Sequence, residues 1–169
     1  MKSASLCKPL LTSRLVRREY TGRVLGTHLD RDELERLRDT KRCRTCLRLN
    51  SPETVEYEFR AFEPPRYAYV RFECAPANDL SFEARALWPP TVSDSYATEV
   101  ELAVAEGVAD VLLEGLYQHS GCRVVLTDVR YDQIDSTIAA FMKAAESAMR
   151  SLLSRKWTPV GPPGATSDP

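Results

Sequence analysis

From Glu53 onward, apolar and polar residues alternate with period two. In VEYEFRAF, Val55, Tyr57, Phe59 and Ala61 share one side, and Glu56, Glu58, Arg60 and Phe62 the other. That alternation predicts a strand with one buried face. RYAYVRFEC repeats it through Ala68, Val70, Phe72 and Cys74, and LSFEARAL through Leu80, Phe82, Ala84 and Ala86. Glu63-Pro64-Pro65-Arg66 is a tight connection between the first two, because proline fixes φ and has no N–H for a ladder. Three strands joined by short turns predict an antiparallel meander.

The period then lengthens. After Trp88-Pro89-Pro90, Ser93 or Ser95 can cap a helix to about Leu116, with Val100, Val104, Val108, Val111, Leu112 and Leu116 as its apolar stripe. Gly107 interrupts it at a cost of about 1 kcal/mol relative to alanine, which points to a close helix–sheet approach or a functional history. CRVVLTDVRY reads as a fourth strand. Asp135 or Ser136 can cap a second helix to about Ser154, with Ile138, Phe141, Met142, Ala145, Met149, Leu152 and Leu153 buried and Lys143, Glu146 and Arg150 facing water, the last two at i,i+4 spacing. The order is β-β-β-α-β-α: an α+β fold with a four-stranded, mostly antiparallel sheet and two helices on one face.

Outside this core the signal is thinner. Val16–Leu25 suggests a short strand and Asp30 can cap a marginal helix to about Thr40, in which Leu34 and Leu37 form a narrow stripe. The expected organisation is a partly flexible basic extension over residues 1–50, a domain over 52–155, and a disordered Pro/Gly-rich tail over 156–169.

Charge sharpens this division. Residues 1–50 carry 13 Lys+Arg against 6 Asp+Glu, whereas residues 51–121 carry 4 against 13. A basic arm on an acidic body suits RNA contact by the arm, through Arg14, Arg17, Arg18, Arg23, Lys41, Arg42, Arg44 and Arg48, or an arm folded back on the body. Glu56, Glu58, Glu73, Glu83, Glu99 and Glu101 are the candidate acidic surface for a protein partner. No apolar run is long enough for a membrane helix. The opening residues lack the apolar stretch of a secretory signal, although they contain Ser and Arg and no acid before Glu19, as transit peptides do; cytoplasm is the default expectation.

Candidate chemistry is sparse. Five cysteines, an odd number at irregular spacing, suit free thiols in a reducing compartment. Cys43 and Cys46 have the spacing of half a zinc site, but no second pair follows, and Cys7 and His28 would complete it only through a long-range fold. His119 is expected in an exposed loop and Cys122 in a buried strand. No Gly-x-x-x-x-Gly-Lys-Ser/Thr motif is present, so no nucleotide cradle of that kind is expected; no other motif assigns a cofactor, a metal or catalytic residues.

Two segments carry a family resemblance. Tyr131-Asp132-Gln133-Ile134-Asp135-Ser136-Thr137, followed by Ala140-Phe141, resembles the Tyr-His-Asp-Val-Asp-Ser-Ser and Ala-Phe pattern of the fourth domain of elongation factor G and the ribosomal protection factors. Ala103-Val104-Ala105-Glu106-Gly107-Val108 with Gly115 is similar to that family's Ala-Val-x-x-Gly-Ile helix. The resemblance implies a fold like the second domain of ribosomal protein S5, with a left-handed β-α-β crossover, in a freestanding domain without the GTPase. It implies association with the ribosome or RNA, or with a translation factor or other protein, through a tip containing Arg66, Tyr131, Asp132 and Gln133. The tip departs from the family: Glu63–Arg66 is short and stiff where the family loop is longer and basic, and Asp132 stands where the family has histidine. These changes imply weaker phosphate contact there, and leave Arg17, Arg18, Arg42 and Arg44 as further RNA-contact candidates.

Overall fold

The computed structural model describes residues 22–38 and 45–160. Arg14, Arg17, Arg18, Lys41, Arg42, Arg44, Cys7, Cys43 and the tail after Val160 lie outside the described residues, as does most of the expected strand at Val16–Leu25.

Among the described residues the elements follow in the order β1 (His28–Leu29), α1 (Arg31–Arg38), β2 (Thr45–Leu49), β3 (Glu53–Phe62), β4 (Pro65–Pro76), β5 (Ser81–Ala84), α2 (Asp94–Leu112), β6 (Tyr117–Arg130), α3 (Ile138–Leu153) and β7 (Trp157–Val160). The fold is α+β, but among the described residues its sheet has seven strands rather than four, and a third helix, α1, joins the other two.

β3 and β4 form the expected hairpin, in unbroken register from Glu53 opposite Cys74 to Phe62 opposite Pro65. The meander stops there. β6 lies between β4 and β5, antiparallel to the first and parallel to the second. β5 and β6 are therefore the parallel strands of a crossover through α2, a pairing that short turns in the sequence do not reveal. Along β6 a second parallel neighbour, β2, pairs Thr45 with Tyr117 and Arg48 with Gly121. A Cβ on Gly121 would lie 2.5 Å from Arg48 Cα, so this approach requires glycine.

The core lies between the sheet and the helices. Ala68, Val70, Phe72, Phe82, Ala84, Val124 and Leu126 meet Val104, Val108, Phe141, Ala145 and Met149, all fully buried. Trp88 packs edge-on against Phe141, with ring centroids 6.4 Å apart, while its indole N–H donates to Glu101 Oε1 at 2.8 Å. Glu101 also accepts from the Thr27 hydroxyl and is fully buried, so it does not belong to an acidic surface. Gly107 meets a helix rather than the sheet: a Cβ there would lie 2.7 Å from Met142 O on α3. Glu146 is buried rather than solvated, and its partner is Lys143, with Nζ–Oε2 at 2.9 Å, instead of Arg150.

Part of the expected flexible extension belongs to this core. Asp30 caps α1, accepting from Glu33 N–H at 2.9 Å while Glu33 Oε2 accepts from Asp30 N–H at 2.8 Å. Leu34 is fully buried. Arg31, 7% exposed, donates to Glu35 at 2.6 Å, Asp79 at 2.8 Å and Gln118 at 2.6 Å. Burial opposes its charge, but hydrogen bonds to Asp79, Glu35 and Cys46 outweigh this and raise its pKa. The expected disordered tail is ordered at its start: β7 pairs antiparallel with β2, from Leu49 opposite Trp157 to Cys46 opposite Val160. His119 is on β6, not in a loop, with its ring 4.7 Å from that of Trp157.

Candidate RNA or ribosome contact site

The far end of the β3–β4 hairpin and the turn from β6 into α3 are joined by side chains. The carbonyl of Tyr67 accepts from Ser136 Oγ, and its N–H donates to Asp135 O at 2.9 Å. Ser136 Oγ also accepts from Asp132 N–H at 2.8 Å. Asp132 Oδ1 accepts from Ile134 N–H at 2.8 Å and Asp135 N–H at 3.0 Å. Asp132 therefore closes an Asx-type turn, and those backbone donors hold its carboxyl below the ordinary 3.8. Ser136 staples the turn to β4.

Neither Asp135 nor Ser136 caps α3. The cap is Thr137, whose Oγ1 accepts from Ala140 N–H at 3.2 Å. Tyr131 is half-buried, with its ring 6.4 Å from Tyr96, while Tyr96 Oη donates to Ser136 O at 3.4 Å. The polypeptide can leave β6 abruptly because Asp132 and Ser136 satisfy donors that the broken ladder releases.

Of the residues assigned to the site from sequence, Arg66, Asp132 and Gln133 are exposed at this end and Tyr131 supports them from within. Arg17, Arg18, Arg42 and Arg44 lie outside the described residues. Two large apolar side chains also lie exposed at this end: Phe62, 85% exposed, and Ile134, 89% exposed. Alternation along β3 places Phe62 on its outward face; for Ile134 no period applies, because it lies within the turn itself.

The nearby open face of the sheet is charged but internally paired. Arg60 donates to Glu58 at 2.7 Å and lies 5.5 Å from the Tyr67 ring centroid. Arg130 lies 4.2 Å from the Tyr69 ring centroid. Tyr69 Oη donates to Glu56 at 2.8 Å, and burial together with this bond pushes its pKa up to about 12. Glu83 is bound by Arg85 and Arg123. Glu56, Glu58 and Glu83 thus belong to paired networks, which weakens the expectation of an uncompensated acidic surface. Among the described residues no cluster of three or more His, Cys, Asp or Glu could hold a metal ion, and no helix is long and apolar enough to cross a membrane.

The hairpin end and the helix-entry turn are thus stapled together at one end of an α+β sheet. The family model for elongation factor G, domain IV, matches residues 66–155, more than half of the chain, and the chain belongs to that family. A crystal structure of a Thermus thermophilus protein is similar at 19% identity and a TM-score of 0.49, over 72% of this chain. The chain spans 18% of that protein's length. No curated protein matches.

Proposed function

We propose that this chain associates with the ribosome or another RNA in the cytoplasm as a translation-factor-like domain, without catalysis or a GTPase of its own. The carrying observation is the stapled tip, in a chain whose family membership covers β4, α2, β6 and α3. In this reading the domain retains the S5-like topology with its left-handed crossover. Arg66 and Gln133 face the ligand, Tyr131 and Asp132 hold the turn, and Arg17, Arg18, Arg42 and Arg44 add contacts to phosphates. The departures at Glu63–Arg66 and Asp132 make the tip a weaker phosphate ligand than the family pattern, so the basic segment carries more of the affinity.

A second reading has a specific support. Phe62 and Ile134, exposed side chains on the two stapled segments, suit an apolar contact with a translation factor or another protein. Ribosome co-sedimentation across a salt series separates the two. Binding that falls steeply with salt, and drops when Arg17, Arg18, Arg42 and Arg44 become alanine, supports the RNA reading. Binding insensitive to salt but abolished by Phe62→Ser and Ile134→Ser supports the protein reading. No sedimentation with ribosomes under any condition overturns ribosome association.

A further inference from the structure

β3 is ten residues long and pairs with β4 on one edge; among the described residues no strand pairs with its other edge. The direction of its free groups follows from its neighbour. Both backbone groups of Tyr67 are engaged by Asp135 and Ser136, away from β3. Antiparallel ladders alternate bonded and non-bonded pairs. Arg60, opposite Tyr67, therefore turns its N–H and C=O off the open edge, as do Glu58 opposite Tyr69, Glu56 opposite Arg71 and Phe62 opposite Pro65. Pro65 has no N–H to give Phe62, which agrees with this parity.

We propose that this edge pairs with the same edge of a second copy of the chain, antiparallel, about a two-fold axis through Phe59. The charge pattern selects the register. With the axis at Phe59, each Glu58 faces Arg60 of the second copy, and Tyr57, 41% exposed, faces Ala61. An axis at Tyr57 would set Glu56 against Glu58, one at Glu58 would set two Glu58 carboxylates together, and one at Arg60 would set two guanidinium groups together. Opposite charges across a strand pair stabilise it and like charges oppose it. The chosen register engages the free backbone groups of Glu56, Glu58, Arg60 and Phe62 in both copies, and the same residues serve both sides, as a closed two-fold contact requires. The Glu58–Arg60 ion pair within each strand, at 2.7 Å, exchanges for two such pairs between strands.

Sedimentation equilibrium of the full chain tests this, using Glu58→Arg, Arg60→Glu and an equimolar mixture of the two. Both positions are exposed, so circular dichroism should report unchanged folding. The wild type is expected to dimerise. Each variant alone places like charges at two symmetric contacts and should weaken dimerisation about tenfold. In the mixture, the two introduced side chains face each other with opposite charge, and the native Glu58 of one chain again faces the native Arg60 of the other. The mixture should therefore dimerise nearly as the wild type does. A wild type that stays monomeric at high concentration overturns the proposal, including the case in which β3 amides are protected from exchange, which would assign the edge to another segment of the chain. Variants that dimerise unchanged, or a mixture that recovers nothing, also overturn it.

Discussion

Replacing Gly107 with alanine sets two known effects against each other, and the structure decides between them. In an unobstructed helix the change stabilises by about 1 kcal/mol, because glycine has more backbone freedom to lose. Here the new methyl would lie 2.7 Å from Met142 O and 3.2 Å from Ala145 Cβ. The first contact is with backbone in a hydrogen-bonded helix, so relief requires α2 and α3 to separate. Both helices feed one buried cluster, in which Val104, Val108, Phe141 and Ala145 are all fully buried. Extra methyl groups in such packing typically cost about 1–3 kcal/mol. The expected net result is a loss of about 1 kcal/mol, or a fall in melting temperature of a few degrees for a domain of this size. Gly107→Val, which adds bulk without alanine's helix preference, should lose about 3 kcal/mol or more. Urea unfolding monitored by circular dichroism measures both. A Gly107→Ala protein more stable than the wild type by about 1 kcal/mol would refute the close helix crossing.

Arg31→Met should cost about 3 kcal/mol in urea unfolding, since it takes a charged donor from Glu35 and Gln118 in a buried setting while Asp79 can reach water; a loss below about 1 kcal/mol would show that α1 is not anchored by this network. Ser136→Ala removes bonds to both Asp132 and Tyr67, so it should cost about 1 kcal/mol and speed amide exchange at Asp132; unchanged exchange would deny the staple. His119 is held below its ordinary 6.5 by burial, and its Nδ1 is buried without a hydrogen-bond partner among the described residues. A depressed folded pKa means that the unfolded chain binds the proton first. The contribution is therefore complete above about 6.5 and is lost as pH falls toward the folded value. Melting temperatures at pH 7.5 and 5 should diverge less in His119→Gln than in the wild type, and equal divergence would remove His119 as a cause.

The sequence made β3, β4, α2 and α3 legible because their burial follows a local period. Of the two serines that could cap α2, Ser93 does so, its Oγ accepting from Tyr96 N–H at 3.2 Å. Errors arose where partners are distant in sequence. The residues of β5 alternate as a meander strand would, yet they pair with β6 across the length of α2. Leu34 offers one apolar residue per turn, a thin stripe that becomes core only because α1 docks on α2. WTPV in a Pro/Gly-rich tail gives no strand period; it becomes β7 because β2 offers an edge. Glu146 looked solvated from its charge, but its neighbours on α2 bury it. At the tip, the Tyr-Asp-Gln-Ile-Asp-Ser-Thr run marks the turn from β6 into α3. The roles of its members shifted by one or two residues, because Ser, Thr and Asp can each serve as cap or turn acceptor.

The proposed function requires the stapled tip to meet RNA of the ribosome. A photo-crosslinking amino acid in place of exposed Gln133 tests it directly, with a control at Leu116, 82% exposed beyond the opposite end of β6. After irradiation with ribosomes, crosslinks to ribosomal RNA are expected from position 133, and few or none from position 116. Crosslinks from position 116 alone, or from position 133 to protein and never to RNA, would contradict the claim.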